Sequence, residues 1–136
     1  MLLLWKILTW NKRKIHYPYI SRMNILEVYM NKKRLGELGE EFAANFLSTK
    51  GYSILATDYR LKFGQVDIIA RDDRGIHFVE VKTRTSSKFG RPAEAVDKKK
   101  LDHIRNVASF YMKMNRIDEP IIIDIVEVFV NQIEGV

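Results

Sequence analysis

The segment QVDIIARDDRGIHFVEVKTR, residues 65–84, constrains the fold more than any other stretch of the chain. Two runs rich in Val, Ile and Phe flank RDDRG, a cluster of turn-forming and charged residues, which is the pattern of a β-hairpin. With the turn centred between Asp73 and Arg74, Asp67 falls opposite Glu80. Side chains alternate along a strand. Val66 and Ile68 therefore point one way with Val79 and Val81, while Asp67 points the other way with Glu80 and Lys82.

Two carboxylates directly opposite each other repel and destabilise a hairpin, so this register calls for a compensating partner. A divalent cation is an economical one, because Mg²⁺ takes oxygen ligands and needs only one or two protein carboxylates beside its waters. Lys82, on the same face, is placed to orient or help deprotonate a water or to stabilise developing charge. The competing reading is a solvent-exposed face on which Lys82 bridges the two acids, a surface ion pair worth about 0–1 kcal/mol. Glu-x-Lys on a strand does not decide between them. The facing register of Asp67 and the basic segment that follows favour a site.

Around the hairpin, Leu35, Leu38, Phe42, Phe46 and Leu47 recur at helical spacing and predict an amphipathic helix over residues 31–50, ended by Gly51. Gly36, Gly39, Ala43 and Ala44 make one side of it slim, as a close approach to a sheet requires. Glu40 lies on that slim side, although Glu37 and Glu41 beside it show how readily a helix carries solvated acids. YSILATDYR, residues 52–60, predicts a first strand. Pro92 opens a second helix with Val96, Leu101, Ile104, Ala108 and Tyr111 as its apolar stripe, and EPIIIDIVEVFV, residues 119–130, is strongly β-branched. The expected fold is α/β, a mixed β-sheet flanked by helices in the order α-β-β-β-α-β.

A chain of 136 residues, 46% hydrophobic, suits one domain, expected at 31–136. There is no cysteine, which excludes disulfides, thiolate metal sites and a Cys nucleophile and fits a cytoplasmic location. His16, His77 and His103 show no metal-ligand spacing and receive no chemistry. The net charge of +6 points to a polyanionic partner. Part of it lies in residues 1–30 (Lys6, Lys12, Arg13, Lys14 and Arg22 against Glu27), and a second concentration follows the hairpin, where Lys82, Arg84, Lys88, Arg91, Lys98, Lys99 and Lys100 outnumber Glu94 and Asp97.

The apolar start, MLLLWKILTW, is broken by Lys6 and falls short of the roughly 20 residues that span a bilayer, so no stable membrane insertion is expected. Residues 1–30 read as an extension outside the domain. It is a basic-aromatic tail, a disordered stretch, or the product of an upstream start codon with the true start at Met23 or Met30, and the last two are favoured.

GELGEEFAANFL, GQVDIIA, HFVEVKTR and FGRPAEAVDKKKL together closely resemble, in order and spacing, segments of the YraN family, also called UPF0102, small bacterial proteins related to archaeal Holliday junction resolvases. The likeness covers about residues 31–130. It implies the restriction-endonuclease-like fold and a PD-(D/E)XK site, with Asp67 and Glu80 as Mg²⁺ (or Mn²⁺) ligands, Lys82 as the lysine and Glu40 as the helical glutamate that completes the site. Two departures stand out: Gln65 where the family usually has Glu, and Ile122-Ile123-Asp124 where Arg-Phe-Asp is usual. The implied function is a Mg²⁺-dependent endonuclease on branched or structured DNA, acting as a homodimer, with Arg84, Lys88, Arg91, Lys98, Lys99 and Lys100 on phosphates. The alternatives are a nucleic-acid-binding module of the same fold serving DNA uptake, repair or recombination, and a plain interaction domain. The last accounts poorly for Asp67 facing Glu80.

Overall fold

The computed structural model describes residues 2–9, 14–18, 32–85 and 98–133. After residue 31 the elements are α1 (Lys32–Thr49), β3 (Ser53–Leu61), β4 (Gly64–Asp72), β5 (Gly75–Thr85), α2 (Lys98–Met114) and β6 (Ile121–Ile133). This is the expected order α-β-β-β-α-β. Two strands that the sequence pattern did not mark, β1 (Leu2–Thr9) and β2 (Lys14–Pro18), precede them. The expected opening of the second helix at Pro92, and Val96 of its stripe, lie outside the described residues.

The chain forms two compact units, and β5 and β6 thread through both. Residues 44–80 and 92–124 make one of them. Here β4 pairs antiparallel with β3 on one side and β5 on the other, and β6 begins beside β5. The Ile76 N–H donates to the Pro120 carbonyl at 2.9 Å, which joins the starts of the last two strands and sets them running in the same direction. The sheet is therefore mixed, and the α2 segment between β5 and β6 is the crossover that a parallel pair needs.

Ile69, Ile76 and Phe78 on one face of the hairpin pack with Ile104, Val107, Ala108, Tyr111 and Met112 of α2. Tyr111 stands edge-on to both Tyr59 and Phe78 at ring-centre distances of 5.3 and 5.9 Å, so Tyr59 is a packing residue. Ile68 and Val79 on the opposite face are also fully buried. The unbroken apolar runs of β4 and β5 are those of strands covered on both sides.

The hairpin turns through Asp73 and Arg74, and Gly75 closes it with φ +150°. A side chain there would meet the Pro120 carbonyl as well as an unfavourable backbone conformation, so only glycine fits. At the end of α1, Gly51 takes φ +90° while the Tyr52 N–H donates to the Leu47 carbonyl at 3.1 Å, a left-handed cap that satisfies the last turn.

The other unit comprises Met1–Ala43, Val81–Arg91 and Ile125–Val136. In it β1 pairs antiparallel with β2 and with β6, in register from Leu2 opposite Ile133 to Thr9 opposite Val126. The slim side of α1 has a specific cause at Gly39. A Cβ there would fall on Thr83 Oγ1 and lie 3.0 Å from Thr83 Cβ, whereas one at Gly36 would meet nothing. Gly39→Ala is therefore expected to lower stability by about 1–3 kcal/mol through overpacking, against its helix-propensity gain. Gly36→Ala, with the gain alone, should raise stability by about 0.5–1 kcal/mol. Urea denaturation of both variants checks this, and shifts of the same sign would contradict it.

Candidate metal and nucleic-acid site

β5 places Glu80 as alternation predicts, whereas in β4 Val66 packs with α2 together with Ile69, so the expected alternation is interrupted beside Asp67. The register runs from Asp72 opposite Gly75 to Ile68 opposite Val79, and just beyond it Asp67 lies near enough to Glu80 for its charge to act on that carboxyl. The pair is not on a solvent face. Asp67 is only 5% exposed and the Glu80 side chain 13%, and Glu80 continues the face that Phe78 presents to α2.

Burial and then the charge of Asp67 push the Glu80 carboxyl above its ordinary range, and the Lys100 ammonium partly offsets them. Lys100 Nζ, on α2, lies 3.2 Å from Glu80 Oε1. Glu80 Oε2 is buried with no hydrogen-bond donor. A buried acceptor left without a donor costs about 1–3 kcal/mol, so Glu80 is incompletely satisfied by the side chains around it. Such perturbed, like-charged carboxylates are characteristic of functional sites. An oxygen-coordinated divalent cation fits this donor set, with Asp67 and Glu80 as its protein ligands and water in its other positions. Among the described residues no three His, Asp or Glu side chains are grouped to hold a metal, so a site here rests on the pair.

The other predicted site residues are distributed as follows. Lys82 follows Glu80 by two residues along β5, where the strand has passed into the other unit, and Glu40 is half-buried on α1 in that same unit. Lys98 and Lys99 are exposed on α2, while Lys100 is half-buried in its ion pair. Arg84 lies on β5. Lys88 and Arg91 lie outside the described residues. Gln65, opposite Arg60 in the β3–β4 hairpin, is half-buried.

A second polar cluster, which the histidine spacing did not reveal, occupies the opposite face of the hairpin. His77 is fully buried, with Nδ1 2.6 Å from Asp124 Oδ2 and Nε2 2.7 Å from Asp72 Oδ1. Arg74 Nε donates to the other Asp72 oxygen at 2.8 Å and Arg74 Nη2 to the Tyr52 hydroxyl at 2.6 Å, while Tyr52 stands edge-on to the imidazole. Burial alone would raise the Asp72 carboxyl. Hydrogen bonds from His77 and Arg74 outweigh it and hold the group down at about 2. Asp124 in the apolar run IIIDIV was the available signal, since an acid inside a β-branched strand needs a hydrogen-bonding partner.

No helix among the described residues is long and apolar enough to cross a membrane. Residues 39–128 match the model of a family described as the uncharacterised protein family UPF0102. A UPF0102 protein of Caldicellulosiruptor bescii is 44% identical over 104 residues, covering 75% of this chain and 87% of that protein. One of Clostridioides difficile is 48% identical over 101 residues, covering 74% and 89%, and one of Alkaliphilus oremlandii is 51% identical over 90 residues, covering 66% and 76%. With that extent of match, the chain belongs to the UPF0102, or YraN, family.

Proposed function

We propose that this protein is a Mg²⁺-dependent endonuclease of DNA whose substrates are branched or otherwise structured. The observation that carries the reading is the buried, neighbouring Asp67–Glu80 pair with a Glu80 oxygen that no donor meets. Asp67 and Glu80 would hold the metal. A bound Mg²⁺ supplies an acidified water and a counter-charge for the phosphodiester under attack. Lys82, next on the Glu80 face of the same strand, orients that water or stabilises the charge that builds on the phosphate. Lys98 and Lys99 offer exposed ammonium groups to the flanking phosphates, and the resemblance extends this role to Arg84, Lys88, Arg91 and Lys100. Glu40 is assigned to the ligand shell on the resemblance alone. Resolution of a four-way junction requires two cuts, which a two-fold dimer with two such sites provides.

A second reading, a binding module without efficient cleavage, draws on Gln65, a neutral amide where the family usually carries a carboxylate. The test is cleavage of labelled four-way junction, flap, single-stranded and linear duplex DNA with Mg²⁺ or Mn²⁺. Metal-dependent cutting by the wild type, abolished in Asp67→Asn and Lys82→Ala with binding kept, is the expected result. Salt-sensitive binding with no cutting of any substrate overturns it in favour of the binding module.

A further inference from the structure

The ion pair between Lys100 and Glu80 assigns Lys100 a role beyond that of one more phosphate contact. We infer that its ammonium is an internal stand-in for the divalent cation, holding Glu80 until metal arrives and then passing to a DNA phosphate. This inference rests on the metal-site reading of Asp67 and Glu80.

Three observations support it. First, Lys100 Nζ sits 3.2 Å from Oε1 of the carboxylate that a cation would occupy, so ammonium and metal compete for the same oxygen. Second, the substitution is incomplete. Lys100 meets Oε1, while Oε2 of the same carboxylate is buried without a donor. A doubly charged ion with several coordination positions would satisfy both oxygens, which a single ammonium does not. Third, Lys100 is a long, flexible side chain that keeps about a third of its surface exposed, so its head can leave the carboxylate without uncovering the core. It stands on α2 directly after the exposed Lys98 and Lys99, where a released ammonium would join two others.

With Lys100 on Glu80 its charge is engaged by the carboxylate and little of it is offered to a phosphate. With a metal in its place Lys100 would be released as an additional positive charge. Metal binding therefore strengthens DNA binding, and by linkage DNA strengthens metal binding by the same factor.

The experiment compares wild type with Lys100→Met, which keeps the apolar stem and removes the charge. Mn²⁺ binding is followed by isothermal titration, and junction-DNA affinity is measured with and without Ca²⁺ as a non-cleaving probe. Mn²⁺ is expected to bind Lys100→Met roughly fivefold more tightly, the factor that an ion pair of this exposure is worth. The Ca²⁺-induced gain in DNA affinity should shrink in the variant. Weaker or unchanged Mn²⁺ binding to a folded Lys100→Met would overturn the stand-in role and make Lys100 a support for Glu80. No Mn²⁺ binding to the wild type itself would instead remove the metal-site reading, so the two failures are distinguishable. Circular dichroism confirms that the variant is folded.

Discussion

His77→Leu is expected to destabilise the protein by about 2–4 kcal/mol, because two aspartates would each lose a buried hydrogen-bond partner at about 1–3 kcal/mol apiece. Asp72, held at about 2, is a carboxylate at neutral pH and can only accept, so Nε2 of His77 donates to it. Nδ1 lies as close to Asp124, 2.6 Å from its Oδ2. The buried ring is held between two aspartates, tying β5 to the end of β4 and to β6. Leucine fills much of the same volume, so the loss measures the hydrogen-bond network and not a cavity. Urea denaturation at pH 7 reads it, and a loss below about 1 kcal/mol would show that the carboxylates find water instead.

The same network fixes an acid limb to the stability curve. A carboxyl held below its unfolded value contributes stability that is fully present above the unfolded pKa and is lost as pH falls through the folded one. For Asp72 the window runs from the ordinary 3.8 down to about 2. In His77→Leu, where Arg74 alone holds Asp72, this limb should flatten.

Particular residues show which parts of the structure were legible in the sequence. The hairpin register was, from Asp72 opposite Gly75 to Ile68 opposite Val79, because turn chemistry at Asp73–Arg74–Gly75 is local, whereas the side that Val66 takes, packing with Ile69 against α2, was not. The helix ending at Gly51 and the element order were legible for the same reason. The identity of the cation on Glu80 was not. Lys82 is near in sequence, but Lys100 arrives from α2 by tertiary packing, and no spacing rule reports which lysine a crossover helix delivers. His77 was missed similarly, its partners standing five and forty-seven residues away. The pairing of β1 with β6 depends on an open edge of a distant strand, which the pattern of MLLLWKILTW does not disclose.

The site itself should reveal its cost in a single substitution. Glu80→Gln is expected to reduce metal-dependent cleavage by at least roughly 100-fold, above the effect typical of residues that merely support a metal ligand, while making the metal-free protein more stable. The amide keeps the shape of the side chain, removes the repulsion with Asp67, and can donate a hydrogen bond to a neighbouring carboxylate. The sign of the pH effect follows from the direction of the shift. Glu80 is held above its unfolded value, first by burial and then by Asp67, so the folded state binds the proton more tightly and stability falls as pH rises past the ordinary 4.5. The variant lacks this group. Its advantage should be near zero below that pH and grow above it, to on the order of 1 kcal/mol, the scale of cross-strand charge pairs. Saturating Mn²⁺ should reverse the order, since only the wild type retains both carboxylate ligands. A Glu80→Gln protein that is less stable than wild type at pH 7 without metal would mean that Lys100 already satisfies the pair, and the two acids would then be a structural ion cluster with no need of a cation.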